Sequence, residues 1–318
     1  MMSLQLPDKN LTDGINKLIR QEESFCLEIL EKVSSSNRHN VIHELRKSGK
    51  KIRAMLRFIR HAIGEESYKA ENGFYRDMGK QIAELRDSTA IIEALQHIKG
   101  VYQPELANDA FEVPLKTLRA HRQKMVKQYL TGEKRLENIS NHLQEKTKQQ
   151  NHLSPDALTF DHVASGMRKV YARGLESFNK SKHSKDTNDL HEWRKRVKYL
   201  RYQYEIFTIV WPNVMNAYTT ELDSLADFLG LDHDLSILHE QISGGRVNFK
   251  DEAEKGLLSA LINFQRDQLQ RLAFLLGSNL YQDDPDSFAK KITAYWDNYQ
   301  QKLLQNEEVN IASLEQGN

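Results

Sequence analysis

Apolar residues recur at spacings of three and four along almost the whole chain, the period of helices that bury one stripe. In the first half this pattern predicts helices near residues 8–34, 38–64, 70–99 and 104–149. In the second half it predicts 155–181, 186–211, 213–243, 248–278 and 285–306. Ser154-Pro155-Asp156 reads as a helix start, with an N-cap, a proline at the first helical position and an acid in the first turn. It follows the polar run 144–152 and marks a boundary between a first domain, 1–152, and a second, 153–318. Pro104, Pro212 and Pro285 fall at other predicted starts. Only 15 Gly and 6 Pro interrupt the 318 residues, too few for the turns of a β fold, so the chain reads as all-α.

The halves resemble each other. His43-Glu44-Leu45-Arg46-Lys47 recurs 148 positions on as His191-Glu192-Trp193-Arg194-Lys195, and at the same offset Lys50 and Arg53 meet Lys198 and Arg201. Leu85-Arg86-Asp87 corresponds to Asp232-His233-Asp234 at an offset of 147, as do Arg119 to Arg266 and Lys124 to Arg271. Landmarks kept in register over half a chain predict an internal duplication of a four-helix unit.

Charge sharpens this picture through its distribution. The total is +1, yet residues 38–61 carry eight Lys/Arg against Glu44 alone, and residues 191–205 carry five against Glu192 and Glu205. The rest of the chain is therefore acidic, at −9. On a helical wheel His43, Arg46, Lys47, Lys50, Arg53 and Arg57 fall within about 120° of arc, opposite Leu45, Ile52, Leu56 and Ile59. His191, Arg194, Lys195, Lys198 and Arg201 repeat the stripe, with Tyr202 beside it. The first stripe is about 21 Å long at 1.5 Å per residue. Like charges at these spacings destabilise a bare helix. Rows of guanidinium forks and ammonium groups suit an extended polymer of phosphates. A solvated basic face is the plain alternative for one stripe, and two in matching places favour a ligand. Asp87 and Asp234 read as acids pinning neighbouring cations, while Arg119, Arg122 and Lys124 read equally as ligands or as exposed residues of a long helix.

HELRKSGKKIR (43–53) and HEWRKRVKYLRY (191–202) resemble the two signature helices of the CHAD domain, the conserved-histidine α-helical domain. LRDSTAIIEAL (85–95) and LGLDHDLSIL (229–238) resemble its later Asp-containing segments, and the likeness covers roughly residues 10–280. The resemblance implies two four-helix bundles related by a pseudo-twofold axis, around a basic central channel that binds inorganic polyphosphate. Carried over by position, it implies His43, Arg46, Lys47, Lys50, Arg53, His191, Arg194, Lys195, Lys198 and Arg201 as ligands; Arg57, Arg119, Arg122, Tyr202 and Arg266 join them as candidates from the stripe and the repeat. The chain departs from the pattern at Ser48-Gly49, where Gly49 costs the helix up to about 1 kcal/mol. It departs again where His233 stands opposite Arg86. Relatives are often fused to a triphosphate-tunnel (CYTH) domain; no segment here has its alternating-Glu strand motif, so that partner is expected as a separate chain.

Other functions fit less well. His39 and His43 have metal-ligand spacing, but no Glu lies between them and Arg46 and Lys47 would repel a cation. A histidine phosphotransfer bundle needs one accessible His, whereas both here sit in cationic rows. Nucleic acid calls for aromatics among the cations, and the stripes hold only Tyr199 and Tyr202. No phosphate loop, catalytic triad around Cys26 or carboxylate pair emerges, so no enzyme activity, cofactor or metal is expected. The lone cysteine, the absence of a signal-peptide pattern and the lack of a membrane-length apolar run point to the cytoplasm, in solution or at polyphosphate granules.

Overall fold

The computed structural model describes residues 10–148 and 158–315, the side chains of 104 and 306–315 apart. Among these residues there are eleven α-helices and no strand. They are α1 (Leu11–Glu31), α2 (Arg38–Ile63), α3 (Glu65–Gln81), α4 (Ala83–Val101), α5 (Glu112–Val126) and α6 (Arg135–Lys148), then α7 (Phe160–Ser184), α8 (Thr187–Ile206), α9 (Pro212–Ser243), α10 (Glu252–Leu280) and α11 (Pro285–Glu315). Side chains of Asn10, Asp186 and Asp251 cap α1, α8 and α10 by accepting from first-turn amides. Pro212 and Pro285 open α9 and α11, whereas Pro104 sits in a 3₁₀ turn, Gln103–Glu105. The Ser154-Pro155-Asp156 start and the boundary at 152/153 lie outside the described residues.

Two predicted helices are each divided. The segment predicted at 70–99 breaks into α3 and α4 at Ile82, which is fully buried and carries no glycine or proline signal. Carbonyls freed at the end of α3 take guanidinium donors from other helices: Arg46 Nη1 donates to Gly79 O at 3.1 Å and Arg135 Nη1 to Gln81 O at 2.7 Å. The segment predicted at 104–149 is divided by Phe111 and Lys134, both in the left-handed region at φ 63° and 50°, and by a π turn over Lys127–Gly132. Phe111 is fully buried and its N–H donates to Glu254 of α10 at 2.9 Å, so tertiary contact fixes a backbone that local propensity does not announce. Gly49 now has a reason. A Cβ there would stand 3.2 Å from Met78 Cε and 3.4 Å from Tyr75 O, so its absence lets α3 lie close on α2.

The interior forms two apolar clusters, and each draws on both sides of residues 149–157. The larger joins α1–α3, the start of α4 and α6 to α7, α8, the first part of α9 and α11. The smaller joins Ile91, Leu95 and Ile98 of α4 and Leu115 of α5 to Leu235 and Leu238 of α9 and Leu258, Ile262 and Leu269 of α10. α2 packs against both α7 and α8, and α4 against α9. The basic helices α2 and α8 thus lie side by side in the middle of the molecule.

One ion pair sits inside the larger cluster. Lys51 Nζ donates to Glu22 Oε1 at 2.6 Å, with the two side chains 9% and 7% exposed, and Tyr75 donates to neighbouring Glu23. The same burial pushes the Cys26 thiol up to about 12, so it stays protonated and unreactive. Removing one partner of such a pair strands a charge out of water. Lys51→Met is therefore expected to lower unfolding stability in urea by about 3–5 kcal/mol. Adding Glu22→Leu to it should restore most of the loss, and a single variant as stable as the parent would show that the pair is solvated.

Candidate functional site

The basic faces of α2 and α8 meet α4 and α9 around one cluster of charges. Arg46 and Lys50 come from α2, Arg86 from α4, and Arg194 and Lys198 from α8; Asp87 of α4 and Asp227 and Asp234 of α9 oppose them. Arg46 lies 3.8 Å from Asp87. The Arg194 guanidinium rests against the backbone of α9 at Gly230, where a Cβ would come within 3.1 Å of Nη2. Five cations thus face these three carboxylates and Glu93 of α4, which stands 3.1 Å from Arg86 Nη1. Burial, and then the charges of Lys198, Arg46 and Arg194, holds Lys50 well below its ordinary pKa. Burial and Arg194 bring Lys198 down to about 7. Asp234 is raised by burial in spite of Arg194 and Arg86. Burial first, and then the neighbouring cations, favour the neutral form of both lysines.

The histidines edge this cluster. His43 is exposed, and its Nδ1 accepts from Arg86 Nε at 3.0 Å, which leaves the neutral ring's proton on Nε2 as a donor. His191 packs against His233 with ring centroids 4.1 Å apart, and the Nδ1 atoms of both are buried with no hydrogen-bond partner among the described residues. The departure at position 233 therefore exchanges an Arg–His bond for a His–His contact. Each histidine lies near the lysine of the other stripe: His43 feels Lys198, and His191 feels Lys50. Burial is the main cause that lowers all three pKa values, followed by Arg86 for His43, Lys195 for His191 and His191 for His233. His191 falls to about 4 and His233 to about 3.

The remaining stripe residues are spread more widely. Lys47 and Lys195 flank the cluster and pair along their own helices with Glu44 at 3.6 Å and Glu192 at 2.5 Å. Arg53 donates to Asn72 of α3, and Arg57 lies 3.7 Å above the Tyr199 ring, toward the far end of α2. Arg119 and Arg122 sit together on α5, beside Arg38 and His39 at the start of α2. His39 faces Thr89, so the two histidines of the metal-like spacing have separate partners. Three candidates are engaged internally. Arg201 is held by Glu205 at 2.5 Å and Asp223 at 2.6 Å, and Tyr202 is 6% exposed. Arg266 bonds the buried carboxylate of Asp232 at 3.0 Å and Thr187 at 3.2 Å. Arg86 and Asp227 belong to the cluster although the stripe argument missed them. Arg86 was visible as the counterpart of His233, but Asp227 carried no signal in the repeat.

A family model described as CHAD domain matches residues 26–243, which takes in every helix of the cluster and stops at the end of α9. No curated protein matches the chain.

The depressed histidines predict how the unliganded fold responds to acid. Between about pH 4 and 6.5 the unfolded chain takes up protons that the folded imidazoles of His191 and His233 refuse. Their contribution is complete above pH 6.5 and is lost as pH falls toward 4. Melting temperatures measured across this range should rise with pH, and less steeply in His233→Gln. An identical rise in that variant would mean that His233 takes up its proton in the fold as readily as in the unfolded chain.

Proposed function

The chain belongs to the CHAD domain family, and from that premise we propose that it binds inorganic polyphosphate without chemically altering it. The observation that carries this reading is the crowding of Arg46, Lys50, Arg86, Arg194 and Lys198, whose lysines burial and the neighbouring cations drive toward neutrality. A chain of phosphates supplies the missing negative charge, and guanidinium forks match its oxygens. His43 adds a neutral donor at the rim through Nε2. The polymer's track runs along α2 and α8, with Lys47 and Lys195 at its margins.

The reciprocal approach of His43 to Lys198 and of His191 to Lys50 supports a pseudo-twofold relation between the halves. On that reading the unit built on α1–α6 pairs with one built on α7–α10, and the cluster lies on the axis between them. Nucleic acid is disfavoured, because base stacking needs open aromatic faces and Tyr199 and Tyr202 are 7% and 6% exposed. Among the described residues no helix is long and apolar enough to cross a membrane. In this account the protein accompanies polyphosphate in the cytoplasm or at granules, beside a separate CYTH-type chain.

Titration with polyphosphate of defined length, alongside DNA, RNA and heparin, tests the proposal. Polyphosphate should bind tightest. With roughly eight contacts its affinity should drop about three orders of magnitude between ~50 and ~200 mM salt. Arg194→Ala should weaken binding by about 1–3 kcal/mol, with partial recovery in Arg194→Lys. Arg46→Ala should also lose about 1 kcal/mol of fold stability, since the Gly79 carbonyl loses its donor.

Because the phosphates restore the charge on Lys50 and Lys198, binding at pH 8 should take up protons. Calorimetry in buffers of different ionisation enthalpy reads this uptake directly. Equal affinity for all four polyanions, or binding without proton uptake, would remove the cluster from the site.

A further inference from the structure

A second group of cations lies apart from the central cluster, where α2, α7 and α8 meet. Arg57, Arg60 and His61 of α2, Lys169 and Arg173 of α7, and Arg196 of α8 line one cleft, over a floor made by the rings of Tyr68 and Tyr199 and the backbone at Gly166. None of the five central cations lines it.

Its internal charge compensation is incomplete. Glu65 takes both donors of the Arg60 fork, at 2.8 and 2.9 Å, and Glu192 stands 3.5 Å from Arg196. Among the described residues no carboxylate lies within 4 Å of the charged groups of Arg57, Lys169 or Arg173. Arg57 instead stacks on Tyr199 and donates to the Arg53 carbonyl. Lys169 Nζ lies 2.6 Å from His61 Nε2, a contact that requires a neutral imidazole, and burial together with Lys169 lowers the His61 pKa accordingly. Arg196 Nε is buried without a hydrogen-bond partner.

The cleft also stands outside the sequence repeat. At the offset of 148, Arg57, Arg60, Lys169, Arg173 and Arg196 correspond to Glu205, Thr208, Gln21, Phe25 and Ser48, so the other half has no such cluster. The central stripe is a line of charge present twice. This cleft is a point of convergence present once, which a compact anion fills better than an extended one.

We propose that this cleft is a separate anion site that takes a terminal phosphate group. A terminal phosphate carries nearly two negative charges near neutral pH and three acceptor oxygens. Arg57, Lys169 and Arg173 supply donors from two helices, and Arg196 adds a cation from a third. The group can come from a free oligophosphate such as pyrophosphate or from the end of a polyphosphate chain. The site itself does not depend on how the central cluster binds polymer.

Two tripolyphosphates test the idea by calorimetry: linear tripolyphosphate has ends, and cyclic trimetaphosphate has none. The linear form should bind at least tenfold more tightly. Lys169→Gln/Arg173→Gln, two exposed positions, should abolish that preference. Arg173→Glu should weaken linear tripolyphosphate further still. Pyrophosphate and long-chain polyphosphate distinguish the sources: a loss confined to pyrophosphate identifies a free oligophosphate, and a loss in both identifies chain ends. Equal binding of ring and linear forms, or a preference that survives both cleft variants while they remain folded, would falsify the assignment. If long chains do not bind at all while the linear preference holds, the polymer reading fails and this one stands.

Discussion

Repulsion among Arg46, Lys50, Arg86, Arg194 and Lys198 is the constraint around which the centre of the molecule is arranged. Three helices bring these groups together, and four carboxylates of α4 and α9 compensate them only in part. The fold sustains the arrangement in two ways. Arg46 is anchored by the freed carbonyl at Gly79, and Arg194 lies on a stretch of α9 that a side chain at position 230 would obstruct. The lysines, buried among these charges, lose affinity for protons, through burial first and repulsion second. Guanidinium groups keep their charge under the same pressure, so the two residue types divide the work: arginine sets the field and lysine yields to it.

Away from this cluster several cations are matched. Arg201, Arg266 and Lys51 belong to the same basic helices or to the same repeat, but each has a carboxylate within hydrogen-bond distance. Where a cation is matched, it fastens helices together. Where it is left unmatched, as in the central cluster and at Lys169 and Arg173, the surface retains a demand for anions. The two roles are set by which acids the neighbouring helices happen to present.

That dependence on neighbours explains what was legible in the sequence. Apolar periodicity located most helices, and the wheel placed Arg46, Lys50, Arg194 and Lys198 on the faces that meet. It could not find the breaks at Ile82 and Phe111, because distant donors and acceptors on Arg46, Arg135 and Glu254 stabilise those ends, and the turn residues Asn108-Asp109 beside Phe111 were read as part of a helix. It also could not tell Arg201 from Arg194, which share a helix face nearly two turns apart but meet different acids on α9. Asp227 and the α7 cations are related to the stripe only by packing.

The interleaved interior has a consequence for how the chain is made. The apolar face of α4 and α5 is covered by α9 and α10, through contacts that extend to Leu269. On a ribosome adding about 5–20 residues per second, Ile91 and Leu95 are therefore exposed for roughly ten seconds or more before their partners exist. During that interval the nascent chain displays a greasy surface beside a strongly basic α2, and it depends on holding factors or on speed to escape premature association.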